Sequence, residues 1–91
     1  RLAHATRRRR GGVLLLYPTA DQLAAARRGT AWIAERPDLE RVAARHGVRV
    51  IDLAAYPQWN AGLYRDGVHP TVEGNALLAR ILIEALDRTV E

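Results

Sequence analysis

The chain of 91 residues has no cysteine, no methionine, no serine and no lysine. Without cysteine there is no disulfide, no thiolate metal site and no cysteine nucleophile. Without serine the chain cannot itself supply the alcohol nucleophile of a serine hydrolase. With no lysine, every basic residue is an arginine, a usage that reads as coding bias and carries no mechanism. No apolar run approaches the roughly 18 residues that a membrane span needs. The arginine-rich start has no apolar stretch behind it, so it does not form an intact signal peptide. A first residue of Arg1 in place of methionine reads as a processed product or part of a longer protein.

What is present describes a globular chain. Hydrophobic residues make up 48% and charged residues 26%, a balance that folds. One domain is the most this length allows, with a thin core, since a chain of this size buries only about 60–65% of its unfolded surface. The net charge is +4 and the pI 10.6. Arg7 to Arg10 form one basic block, open to two readings. Arginine matches phosphate oxygens bidentately, which would make the block a contact for nucleic acid or another polyanion. It equally suits the C-terminal end of a helix, where cations meet the partial negative charge of unpaired carbonyls, with Gly11 as the cap. The second reading is preferred, because a charge run alone is a weak motif and the segment lacks interleaved aromatics. Residues 1–12 are thus read as a basic helix end and a break, and nucleic acid is not the expected partner.

Along the rest of the chain, Val13 to Tyr17 is a short apolar run bounded by Gly11-Gly12 and Pro18, as in a strand buried on both faces. Thr19 and Gln22 have the spacing of a capping box. The helix that follows, through Leu23 to Arg28, meets a kink or break at Gly29-Thr30 before helical Ala31 to Glu35. Pro37 suits the first turn of another helix. Leu39, Val42, Ala43 and His46 recur at helical spacing until Gly47 ends the pattern. Val48 to Leu53 is a second strand, whose Arg49 and Asp52 suit an edge. A loop rich in Tyr56, Pro57, Trp59, Asn60, Gly62 and Tyr64 runs to Pro70. A last helix over about Val72 to Asp87 carries an apolar stripe of Leu77, Leu78, Ile81, Leu82, Ala85 and Leu86. The order predicts α/β architecture, with two parallel strands and three or four helices in a single partial domain over residues 1–91. An interior strand needs a neighbour on each edge and this chain offers one, so upstream strands of the same fold or a dimer mate are expected to cover the open edge.

Chemistry concentrates in Asp66-Gly67-Val68-His69-Pro70-Thr71. Gly67 permits a tight turn between the acid and the imidazole. Pro70 holds His69 in the extended region, and Thr71 is a good N-cap for the helix beyond. A carboxylate on one ring nitrogen leaves the other free as a base, which is the work of the acid–base pair in a serine triad.

This block, followed by Gly74-Asn75 and an apolar helix, resembles the last conserved block of the SGNH (GDSL-type) hydrolases. Val13 to Pro18 and Val48 to Asp52 resemble that family's fourth and fifth strands. The resemblance implies the C-terminal portion of a flavodoxin-like three-layer α/β/α sandwich. It implies an esterase or acetylesterase function, with His69 as general base and Asp66 as its orienting partner. The substrate would be an ester, or an O-acetylated small molecule or glycan, and no cofactor is implied. The family's Gly-Asp-Ser turn and Gly-x-Asn-Asp block are missing here, and Asn60 and Asn75 stand in other contexts. The isolated chain is therefore expected to be inactive. Thr71 as a substitute nucleophile is disfavoured by its value as a cap.

The remaining candidates have plainer readings. Trp59 and Tyr64, with Tyr56, either line an acyl or sugar pocket as substrate-binding residues or tie their loop onto the sheet. Asp52 stands at a strand's C-terminal end, where α/β sites form, but capping the next turn is the preferred reading. Asp52, Asp66 and His69 have metal-ligand chemistry, yet three such ligands drawn from two loops are a common coincidence, and no metal is expected. His46 reads as a partner of its helix C-terminus, and His4 has no assigned role.

Overall fold

A computed structural model of the chain describes residues 12–89. The predicted helix end over Arg1 to Arg10, the Arg7–Arg10 block with its polyanion reading, and His4 lie outside the described residues. Strand β1 is Val13–Leu16, helix α1 Ala20–Arg27, helix α2 Arg36–Arg45, strand β2 Arg49–Asp52 and helix α3 Val72–Thr89. Two single turns of 3₁₀ helix, Leu53–Ala55 and Ala61–Leu63, interrupt the segment between β2 and α3. The described residues form a mixed α/β unit of three α-helices and a two-stranded parallel sheet. Its register runs from Val13 opposite Arg49 to Leu16 opposite Asp52.

Local chemistry sets most element boundaries. Thr19 and Gln22 close the expected capping box. The Thr19 hydroxyl accepts from the Gln22 amide at 3.2 Å, and the Gln22 side-chain oxygen accepts from the Thr19 amide at 2.9 Å. Both α1 and α2 end in a Schellman arrangement on a glycine with positive φ. After α1, Gly29 donates to Ala26 and Thr30 to Ala25; after α2, Gly47 donates to Ala44 and Val48 to Ala43. The Schellman turn at Gly29 stops α1 and redirects the backbone, so Ala31 to Glu35, expected to be helical, forms turns and a bend. Pro37 stands in the first turn of α2. Thr71 caps α3, its hydroxyl accepting from the Gly74 amide at 3.0 Å.

The core gathers Leu23, Ile51, Leu53, Trp59, Tyr64, Ile81 and Ala85, with Leu77 and Leu78 packed at its margin. The α3 stripe thus faces inward at 77, 78, 81 and 85, whereas Leu86 is exposed. Each such aliphatic side chain, when fully buried, contributes about 1.5–3 kcal/mol. Strand β1 has the one neighbour expected within this chain, and is less buried than an interior strand. Among the described residues it pairs only with β2, and Val13, Leu14 and Leu15 remain half-buried.

The first turn of α3 lies hard against the preceding loop at Gly74. A Cβ there would stand 2.7 Å from the Leu63 carbonyl oxygen and 3.1 Å from the Pro70 side chain. Neither backbone nor proline ring can swing aside, so the close approach requires glycine. Gly74→Ala is therefore expected to destabilise the fold by about 1–3 kcal/mol through overpacking, despite the ~1 kcal/mol that alanine otherwise gains in a helix. Urea unfolding of the two chains measures this; equal or greater stability of the alanine variant would refute the packing assignment.

Candidate active site

Residues 63–71 form a narrow loop closed at its base. Tyr64 and Pro70 make an antiparallel bridge. The Arg65 amide donates to the His69 carbonyl at 2.7 Å, and the Thr71 amide to the Leu63 carbonyl at 2.8 Å. At the tip Gly67 has φ +88°, a left-handed conformation that glycine takes without a Cβ penalty. The tip is tied to the rest of the fold by the Ala20 amide, at the start of α1, which donates to the Gly67 carbonyl at 2.8 Å.

Inside this loop the two oxygens of Asp66 divide their work. Oδ1 accepts from the backbone amides of Val68 at 3.0 Å and His69 at 2.7 Å, an Asx turn extended by one residue. Oδ2 lies 2.8 Å from His69 Nδ1. An ionised carboxylate can only accept, so the shared proton sits on Nδ1 and the neutral ring carries its lone pair on Nε2. Nε2 has no hydrogen-bond partner among the described residues. The two side chains are 50% (Asp66) and 63% (His69) exposed, so reactants can reach the ring. The hydrogen bond from the His69 amide, then the one from its ring, then the one from the Val68 amide hold the Asp66 carboxyl well below the usual carboxylate range.

Sequence reading leaves two roles open for Trp59 and Tyr64, and the structure places both side chains in the core. Trp59 is wholly buried and Tyr64 nearly so. The Trp59 indole donates to the Tyr64 hydroxyl at 2.9 Å, and that hydroxyl donates to the carbonyl of Pro18, two residues beyond β1. Burial, the largest influence, pushes the Tyr64 hydroxyl above its ordinary pKa. With Tyr17 the two rings form an edge-to-face and tilted cluster with centroids 5.7–6.2 Å apart. These residues tie the loop down, and the Trp59 ring has no surface left for a substrate.

Asp52 caps the following turn, as preferred. Its Oδ1 accepts from the Ala54 amide at 3.1 Å and its Oδ2 from Arg36 at 2.6 Å. His46 is the C-cap residue of α2. Among the described residues no group of three histidine or acidic side chains stands close enough to hold a metal ion, and no helix is long and apolar enough to cross a membrane. An open groove of about 560 Å³, lined by Trp32, Ile33, Arg36, Pro37, Glu40 and Asp52 among others, includes neither Asp66 nor His69.

Arg27 is the residue that sequence reading passed over. Its guanidinium donates to the carbonyls of Ala54 at 3.0 Å, Tyr56 at 3.0 Å and Trp59 at 2.7 Å. The available signal was a long irregular segment whose carbonyls must find donors, but nothing in the sequence singles out this arginine from the others. Comparison with known proteins yields no relative: no family model, no curated protein and no solved structure matches the chain.

Two outcomes follow from the Asp66 geometry. Its depressed pKa means that its contribution to stability is complete above the unfolded-state pKa and is lost only as pH falls through the lower folded-state value. In a carbon-13 NMR titration the Asp66 carboxyl should therefore stay ionised through about pH 3–5, where ordinary aspartates titrate; titration alongside them would contradict the hydrogen-bond assignment. Asp66→Asn keeps an oxygen for the two amides but turns an NH₂ group toward Nδ1. Nitrogen-15 spectra of the ring at about pH 9, above the ordinary imidazole range, should then show the proton moved from Nδ1 to Nε2 with the loop intact. Retention of the Nδ1–H form would show that the carboxylate does not set the tautomer.

Proposed function

We propose that this chain is the C-terminal part of an SGNH-type serine ester hydrolase, providing the base and orienting acid of a Ser-His-Asp triad whose serine lies on a preceding segment. In this reading β1 and β2 are the fourth and fifth strands of a flavodoxin-like three-layer sandwich. A further parallel strand then covers the edge of β1 that faces away from β2.

One observation carries the reading: Asp66 Oδ2 lies 2.8 Å from His69 Nδ1 while Nε2 is free on an exposed ring. The serine hydroxyl attacks the carbonyl carbon of an ester, and His69 Nε2 takes its proton as the C–O bond forms. The same nitrogen returns that proton to the leaving alcohol as the acyl–oxygen bond breaks. A water then repeats the sequence on the acyl-enzyme, releasing the acid and restoring the serine. Asp66 stabilises the imidazolium formed at each stage without taking the proton. The chain holds no serine. Asn60 is occupied as a cap, accepting from Gly62 and donating to Gln58, so the oxyanion donors also belong to the preceding segment. The substrate class is a carboxylic ester, with O-acetyl groups on a small molecule or glycan the leading candidates.

The test begins with the coding sequence upstream. A Gly-Asp-Ser turn followed by a Gly-x-Asn-Asp block is expected there. The extended protein should hydrolyse 4-nitrophenyl acetate, whereas the 91-residue chain alone should not. His69→Ala in the extended protein should lower kcat by on the order of 10⁴ or more. An upstream sequence without such a serine, or turnover indifferent to His69, would remove the assignment.

A further inference from the structure

Two successive peptide units in the Asp66–His69 turn are gripped at both ends. In the Gly67–Val68 unit the carbonyl accepts from the Ala20 amide at 2.8 Å and the amide donates to Asp66 Oδ1 at 3.0 Å. In the Val68–His69 unit the carbonyl accepts from the Tyr17 hydroxyl at 2.6 Å and the amide donates to the same Oδ1 at 2.7 Å. Each unit is planar, so fixing its oxygen fixes the direction of its N–H. The two N–H groups then converge on one carboxylate oxygen and leave the other facing the ring. Among the described residues, the only side chain in this framework from outside the turn is Tyr17, immediately after β1.

We propose that Tyr17 is a positioning residue for the His69–Asp66 pair, acting through the Val68–His69 peptide; calling His69 a base in this sense rests on the function proposed above. The Tyr17 ring is held independently of its hydroxyl, packed edge-on against Trp59 and tilted against Tyr64. Its hydroxyl therefore arrives at Val68 from a fixed point. Burial first, then the electrostatic influence of Tyr64 and of Asp66, push its pKa above the ordinary phenol value. The hydroxyl thus keeps its proton, and remains a donor, wherever an imidazole can act as a base. Through this contact the strand end determines where the acid sits, and the acid determines which ring nitrogen is free.

Tyr17→Phe in the 91-residue chain tests this, because phenylalanine keeps the ring packing and deletes only the donor. Ile81→Val, a trimmed core residue in α3 remote in sequence from the turn, serves as the control for general loss of stability. In Tyr17→Phe, amide hydrogen exchange at Val68 and His69 should accelerate roughly fivefold or more, the size expected for one lost hydrogen bond, relative to the amides of α3. The ring nitrogen-15 spectrum should show a new Nε2–H population. In Ile81→Val any acceleration should be shared with α3 and the tautomer unchanged. If Tyr17→Phe leaves both signals at wild-type values, or moves them no more than Ile81→Val does, the positioning role is refuted. Neither readout requires a nucleophile, so this result stands apart from the ester-hydrolysis assay, whose failure would remove the catalytic meaning of the pair and not its coupling to Tyr17.

Discussion

Burying a tryptophan indole and a tyrosine hydroxyl obliges both to find partners, and in this protein one relay satisfies them. The Trp59 N–H donates to the Tyr64 oxygen, and the Tyr64 O–H donates to the carbonyl of Pro18. That carbonyl belongs to Pro18, two residues past the end of β1. The Tyr64 hydroxyl thereby bonds the irregular chain between β2 and α3 to the backbone just beyond β1. Its loss would leave a buried donor and a buried acceptor unpaired, at about 1–3 kcal/mol each. For a small domain with a thin core, that is a large share of its stability.

The position of the Asp66 turn follows from this anchor. Tyr64 fixes one side of the loop base, and its bridge to Pro70 fixes the other. Arg27 takes up the carbonyls on the far side of Trp59, so the segment cannot slide along α1. Gly74 lets α3 begin against the Leu63 carbonyl with no side chain between them. The turn is then carried at a defined height above the strand end by the Ala20 amide and the Tyr17 hydroxyl. Its backbone is held by hydrogen bonds at both ends of two successive peptide units.

What sequence reading recovered and what it missed divide by the range of the interactions. The capping box at Thr19, the N-cap at Thr71 and the helix stop at Gly47 depend on partners within a few residues, and all were legible. So was the Asp66–His69 contact, whose partners are three apart. The strands were legible because apolar runs between breakers leave few alternatives at this length. The break expected at Gly29-Thr30 is present, but the helix expected beyond it at Ala31 to Glu35 does not form, because the Schellman turn redirects the chain into turns and a bend. The roles of Trp59 and Tyr64 stayed open because they depend on Pro18, 46 residues from Tyr64 in sequence. The Arg27 contacts, 27 to 32 residues long-range, were invisible for the same reason. An aromatic loop residue has the same composition whether its ring faces a ligand or the core.

The choice of aspartate at position 66 is not explained by folding alone. The turn requires one oxygen to collect the Val68 and His69 amides, and an asparagine oxygen meets that need, as it does at Asn60 for the Gly62 amide. Among the described residues the second oxygen has His69 Nδ1 as its one hydrogen-bond partner. An ion pair exposed to this degree contributes little to stability, so the contact with the ring adds little to the fold beyond what the two amides supply. What a carboxylate does and an amide does not is hold the proton on Nδ1, which leaves Nε2 as the basic nitrogen. A position whose structural half is satisfied by asparagine, and whose remaining half matters only when the ring accepts a proton, is what the proposed base requires. Under the proposed function, the free Nε2 on open surface is the half of the site that this chain supplies, and the serine is supplied by another segment.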